Sequence, residues 1–309
     1  MAMAQRLLPL VLLLTLTLAA CDGDEEPGLV PLTPSPAMVF PANAVDPAKL
    51  PLGDGKIATA PERGSVFACQ TRFAGGGAFR DGPWIKNDGT WDSTAKATVD
   101  GEVTWPQRLA IRIEGASRLV ESAGLPNHAT GTYPVRPDDD AFQYDRNPNT
   151  IAAQDLRLSL PLEPAMAAQA ACLPMGAIGV LLTGSVFFNA LDAQGKDAVA
   201  HELQDRCHGH PERTGAYHYH DLTPCLADVS TGHSALAGYA FDGFGIYGPR
   251  GEDGRVLSNA ALDECHGHSH AIEWDGRRVS LYHYHATLEY PYTLGCFRGP
   301  AVRTGPPPP

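Results

Sequence analysis

The chain has 309 residues, 43% of them hydrophobic and 19% charged, with 32 glycines and 27 prolines, which is the composition of a loop-rich globular protein rather than a coiled coil. Its 23 Lys+Arg against 35 Asp+Glu give a formal net charge of −12, and a chain so acidic lacks the basic surface that nucleic-acid binding needs. The length leaves room for a sizeable core after any targeting segment is removed.

The first 20 residues read as an export signal, with Arg6 before an apolar run from Leu7 to Leu18. That run suits a signal peptide and is short for a membrane span of about 20 residues. Leu18-Ala19-Ala20-Cys21 resembles a bacterial lipobox, which makes Cys21 the expected lipidation site and the mature protein membrane-anchored through lipid. The expected location is therefore the bacterial cell envelope, on the periplasmic face or the cell surface.

From residue 21 to 61 the chain carries Pro27, Pro31, Pro34, Pro36, Pro41, Pro47, Pro51 and Pro61, which predicts an extended tether. A domain is expected over 62–300 and an unstructured tail over 301–309. Within the domain, Val103–Trp105, Arg108–Glu114, Leu156–Leu160, Ile178–Phe188 and Leu281–Leu288 read as strands separated by turn residues. Helical periodicity is confined to Glu163–Ala171, Gly195–Arg206 and Ser258–Glu264, with Asp192 or Asp197 and Ser258 or Asn259 as caps. The fold class expected is mainly β, sandwich-like or otherwise β-rich, with two or three short helices.

Six cysteines remain beside Cys21, and an even number in an exported domain implies disulfides. Proximity and elimination favour Cys207 with Cys225, Cys265 with Cys296, and Cys69 with Cys172.

Ten of the 12 histidines fall between His208 and His285, in two copies of one layout. Cys207-His208-Gly209-His210 precedes Tyr217-His218-Tyr219-His220, and Cys265-His266-Gly267-His268-Ser269-His270 precedes Tyr282-His283-Tyr284-His285. Side chains alternate across a strand, so His218 and His220 share one face and Tyr217 and Tyr219 the other, and likewise in the second copy. Two imidazoles two residues apart can close on one ion.

These residues carry a resemblance as well. The paired Tyr-His-Tyr-His motifs, the span from His233 to Gly248, Leu262-Asp263-Glu264-Cys265 and Tyr290 to Gly299 resemble the YHYH domain family of exported proteins, over roughly residues 120–299. The resemblance implies a β-rich envelope domain and no particular chemistry.

The expectation for the site is that His218, His220, His283 and His285 converge on one transition ion, copper or zinc, with His208, His210, His266, His268 and His128 as weaker candidates. Asp242, Asp263 and Glu264 are expected to orient imidazoles, and Asp242 or Glu264 could serve as a catalytic base. Asp221 reads as a turn cap, and His201 as a surface residue. The partners expected are the membrane, through the N-terminal lipid, and a metal donor or acceptor or another envelope protein. Two further readings stand beside metal binding: a metal-dependent envelope enzyme, oxidative or hydrolytic, and a surface scaffold with a structural histidine core. No G-x-S-x-G elbow, nucleotide loop or H-E-x-x-H motif supports the commoner enzyme classes.

Overall fold

The computed structural model describes residues 45–302; the expected signal peptide, Cys21, the expected tether before residue 45 and the tail beyond residue 302 lie outside the described residues. The strands run β1 (Leu50–Pro51), β2 (Ile57–Ala58), β3 (Val66–Phe67), β4 (Thr90–Trp91), β5 (Leu109–Glu114), β6 (Ser117–Ser122), β7 (Leu156–Pro161), β8 (Ala177–Leu181) and β9 (Val186–Phe188). After the helix α1 (Ala198–His201) follow β10 (Gly209–Pro211), β11 (Tyr217–Tyr219), β12 (Leu236–Ala240), β13 (Gly245–Tyr247), β14 (Gly267–Trp274) and β15 (Arg277–His285). The fold is mainly β, stabilised by three disulfides.

The strands form one 8-stranded mixed sheet in the order β10-β11-β9-β8-β12-β13-β15-β14, with a 3-stranded meander β5-β6-β7 and two 2-stranded pairs, rather than two sheets of like size. Ile178, Phe187, Tyr217, Tyr219, Ile246 and Tyr284 of the large sheet lie in the core at 0% exposure, joined by Leu160 of β7 and Phe244 of the turn between β12 and β13.

The helical expectations fare unevenly. Of Gly195–Arg206 only Ala198–His201 is helical, capped by Asp197, whose side chain accepts from Ala200 N. Ser258–Glu264 contains one 3₁₀ turn, Asn259–Ala261, and Glu163–Ala171 has no helix. A further 3₁₀ turn at Asp140–Gln143, capped by Asp139, was not foreseen. The helical periods here are too short to outweigh the surrounding turns and strand pairings.

The tether also ends earlier than residue 61. Leu50 is buried, β1 pairs with β4, β2 pairs with β3, and Gly53 N donates to Asp197 Oδ2, so this part of the proline-rich stretch belongs to the domain. At the other end, Val302 N still donates to Phe241 O. The three disulfides follow the expected pairing, Cys69–Cys172, Cys207–Cys225 and Cys265–Cys296.

The large sheet is two copies of one four-stranded unit. In the first, β8 turns into β9, which lies parallel to β11, which pairs antiparallel with β10; in the second, β12, β13, β15 and β14 repeat those relations. The copies join where β8 and β12 pair antiparallel, so the sheet has an approximate twofold axis at its centre. Local detail follows the repeat. Gly184 and Gly243 take the same turn position, at φ 98° and 90°, a region open to glycine at little cost.

Candidate metal centres

The Cys-His-Gly loops are first of all structural. Asp205 Oδ1 accepts from Cys207 N, Gly209 N and the Tyr217 hydroxyl, and Asp263 Oδ1 accepts from Cys265 N, Gly267 N and the Tyr282 hydroxyl. The residue between cysteine and glycine, His208 or His266, is forced to φ 63° or 74°. This turn aims the next histidine, His210 or His268, at its partner across the hairpin: His210 pairs in register with His218, and His268 with His283. The other tyrosine of each motif also faces away from the histidines. Tyr219 donates to Thr183 Oγ1, and Tyr284 donates to Asp242 Oδ2.

The imidazoles do not meet at one point. β11 and β15 are the second and seventh strands of the sheet, five spacings of about 4.8 Å, or about 24 Å, apart. His218 and His220 therefore cannot share an ion with His283 and His285; each repeat gathers its own cluster.

In the second repeat, His233, His270, His283 and His285 bring four ring nitrogens within 4.8 Å of one another. Each ring lays Nδ1 on a backbone carbonyl: His233 on Ser234 O at 2.8 Å, His270 on Ala271 O at 3.3 Å, His283 on Leu281 O at 3.0 Å and His285 on Gly248 O at 2.7 Å. A carbonyl can only accept, so Nδ1 carries the proton and Nε2 presents its lone pair. His233 Nε2 stands 3.3 Å from His283 Nε2, and the Nε2 atoms of His270 and His285 are buried with no hydrogen-bond partner. His268 borders the cluster, its ring centroid 4.6 Å from that of His270, and its Nε2 is likewise unpartnered. Burial pushes His283 down to about 3 and His268 to about 4, and burial followed by the neighbouring His283 takes His285 well below its ordinary value. At neutral pH these rings are uncharged.

In the first repeat, His210, His218 and His220 form the corresponding group. His218 Nδ1 lies 3.1 Å from Ala216 O, His220 Nδ1 donates to Asn189 O, and the two Nε2 atoms face each other at 3.1 Å. Phe188 stacks on His218 with 3.9 Å between centroids. Neither ring nitrogen of His210 has a partner. Glu202 Oε2 reaches to 3.6 Å from His210 Nε2 and 3.5 Å from His220 Nε2. Burial, then the charges of Asp192 and Asp145, pushes the Glu202 carboxyl well up, while burial lowers His218 to about 4 and His220 to about 3.

The remaining candidates stand elsewhere. His128 Nε2 lies 2.7 Å from the Tyr219 hydroxyl, on the tyrosine side of β11. The two cysteine sulfurs near it, Cys207 and Cys225, are joined to each other and cannot act as thiolates. His208 Nδ1 lies 2.8 Å from Asp221 Oδ2, so Asp221 has an imidazole partner, and His266 Nε2 bonds Thr287 Oγ1 at 3.0 Å. Asp242 accepts from Tyr284, Phe244 N, Arg298 N and Gly299 N, and Asp263 serves its own loop, so neither orients an imidazole. Glu264 is exposed. His201 is buried, clamped between Asp81 at 2.9 Å and Asp54 at 3.0 Å, and is not a surface residue.

Sequence reasoning missed three members of the clusters. His270 extends the His-x-His alternation of β14 by one step and could have been found. His233 and Glu202 approach from loops, where periodicity is silent.

No curated protein and no solved structure matches the chain. The model of the family described as YHYH protein matches residues 157–256, which hold β7 from its second residue, the whole first repeat and strands β12 and β13, and end before the second Tyr-His-Tyr-His. The match is narrower than the resemblance over 120–299 and covers about a third of the chain, which is similar to that family over those residues.

Proposed function

We propose that this is a lipid-anchored cell-envelope protein that binds a transition ion, copper or zinc, in the centre made by His233, His270, His283 and His285. The observation that carries the reading is the commitment of all four Nδ1 atoms to backbone carbonyls, which leaves the Nε2 lone pairs free in a group whose ring nitrogens come within 4.8 Å of one another. Ring nitrogens that present lone pairs to one another repel unless a cation lies among them, and burial disfavours protonation of His233, His283 and His285. Imidazole-only ligation suits Cu²⁺ and Zn²⁺, and carbonyl-held rings are the usual outer support of such ligands.

The scaffold reading would need the inward nitrogens satisfied by protein donors, and those of His270, His285 and His268 are not. The enzyme reading based on Asp242 or Glu264 loses its base, since the first is engaged behind the sheet and the second is exposed. Anchoring rests on Leu18-Ala19-Ala20-Cys21, with the acylated cysteine as the first mature residue. An ion held this way at the membrane surface would be stored, or exchanged with an envelope donor or acceptor. Titrating the metal-free protein with Cu²⁺ and Zn²⁺ by calorimetry, beside a His233→Ala/His270→Ala variant, tests the reading: the variant loses one bound ion per chain, and equal binding by both proteins refutes it.

A further inference from the structure

The first-repeat cluster differs from the second in two ways that bear on ligand chemistry. A carboxylate, Glu202, takes the place of additional imidazoles, with Oε2 at 3.6 Å and 3.5 Å from two Nε2 atoms. The cluster also lies on the wall of a cavity of about 770 Å³, whose lining includes Glu202, His210, His218 and His220 with the apolar Phe188 and Met175 beside them.

Spacing argues for a ligand set. Around a tetrahedral ion with bonds of about 2.0–2.1 Å, neighbouring donors stand about 3.3–3.4 Å apart. The His218 to His220 separation of 3.1 Å and the Glu202 separations of 3.5 and 3.6 Å bracket that edge. His210 is 3% exposed with neither ring nitrogen bonded, a buried polar group that calls for a partner. His218 and His220 cannot bond each other, because both Nδ1 atoms already donate to carbonyls.

We propose that His210, His218, His220 and Glu202 form a second metal site of three imidazole nitrogens and one carboxylate oxygen, which takes a divalent ion of borderline hardness such as Zn²⁺ and meets small exogenous ligands from the cavity. The carboxylate oxygen favours harder ions than the all-nitrogen centre does, so the two repeats differ in selectivity. The cavity side allows a fifth donor to reach the ion, as open zinc sites permit. The site does not depend on occupancy of the second-repeat centre.

The test uses Co²⁺, whose visible absorption reports coordination, in the full chain carrying His233→Ala/His270→Ala so that only the first-repeat site remains. One Co²⁺ per chain is expected, with bands that shift when azide is added. Adding Glu202→Gln, a near-isosteric change, should weaken Co²⁺ binding about tenfold or more and alter the spectrum. Adding His218→Ala should abolish binding, and circular dichroism of each variant must match the parent before it is scored. No Co²⁺ bound by the parent variant, azide-insensitive bands, or unchanged affinity in Glu202→Gln would each overturn the proposal. In the wild-type chain, loss of the all-histidine site alone would show as one ion with the Glu202-dependent spectrum, which separates failure of that reading from failure of this one.

Discussion

His233 Nε2 and His283 Nε2 face each other at 3.3 Å, one from the loop before β12 and the other from the middle of the Tyr-His-Tyr-His strand. Their other nitrogens are held by Ser234 O and Leu281 O, so neither ring can turn its proton toward the other without giving up a carbonyl bond. An arrangement that forces two acceptors together is costly by itself and favourable around a cation.

Acid should release the ion late. Burial, rather than a charged partner, lowers His283 to about 3, and the same cause lowers His233 and His285. A group with a depressed pKa stays neutral, and able to ligate, until the pH falls toward that lower value. Cu²⁺ bound to the second-repeat centre should therefore survive dialysis at pH 5, well below the ordinary histidine range near 6.5. Half-release at or above pH 6.5 would contradict this.

Asp242 makes a second pH-dependent contribution, through stability. Burial raises its carboxyl from 3.8 to about 6 despite the hydrogen bonds from Tyr284, Gly299 N, Phe244 N and Arg298 N. The native state then holds the proton more tightly than the unfolded chain, so this contribution is fully present below about pH 4 and is lost as the pH rises through about 6. The change is worth at most about 3 kcal/mol. Urea unfolding of the metal-free protein at pH 4 and pH 7 should show a smaller difference for Asp242→Asn than for the wild type; the same difference in both would remove Asp242 as the source.

The tyrosines of the motif should matter for stability and not for the ion. Tyr217→Phe takes a hydroxyl from buried Asp205, and Tyr282→Phe takes one from Asp263, each at a cost of about 1–3 kcal/mol. Thermal unfolding should fall in both variants while metal stoichiometry is unchanged. A variant that melts like the wild type would show that its aspartate is satisfied without the tyrosine.

Anchoring has its own test. Cys21→Ser should move the mature domain from the membrane fraction to the soluble fraction, or leave the precursor uncut. Mass spectrometry and fractionation of the native protein check it, and unchanged mass with unchanged localisation would speak against lipidation.

Much of this was legible in the chain, and the limits are physical. The duplicated Cys-His-Gly-His and Tyr-His-Tyr-His segments disclosed a repeated unit, and strand alternation disclosed which residues of each motif share a face. The pairing of the six cysteines was equally accessible, because two pairs close short loops of 18 and 31 residues. Alternation says nothing of where a strand sits in its sheet, however. The antiparallel pairing of Gly238 with Leu181 and Tyr239 with Val180 puts the repeats back to back, and that long-range choice turns one expected centre into two. Asp242 is expected to orient an imidazole, but its turn carries it behind the sheet to Tyr284. Glu202 sits just past the four-residue helix α1, and its approach to the histidine cluster depends on where that short helix ends, which periodicity does not disclose.

The most direct test of the central claim is the copper stoichiometry of the metal-free, oxidised protein, measured by calorimetry with elemental analysis after gel filtration, for the wild type and for His233→Ala/His283→Ala. The four-histidine centre predicts that the double variant holds one Cu²⁺ fewer per chain and keeps its fold by circular dichroism. Equal copper in the two proteins would contradict it.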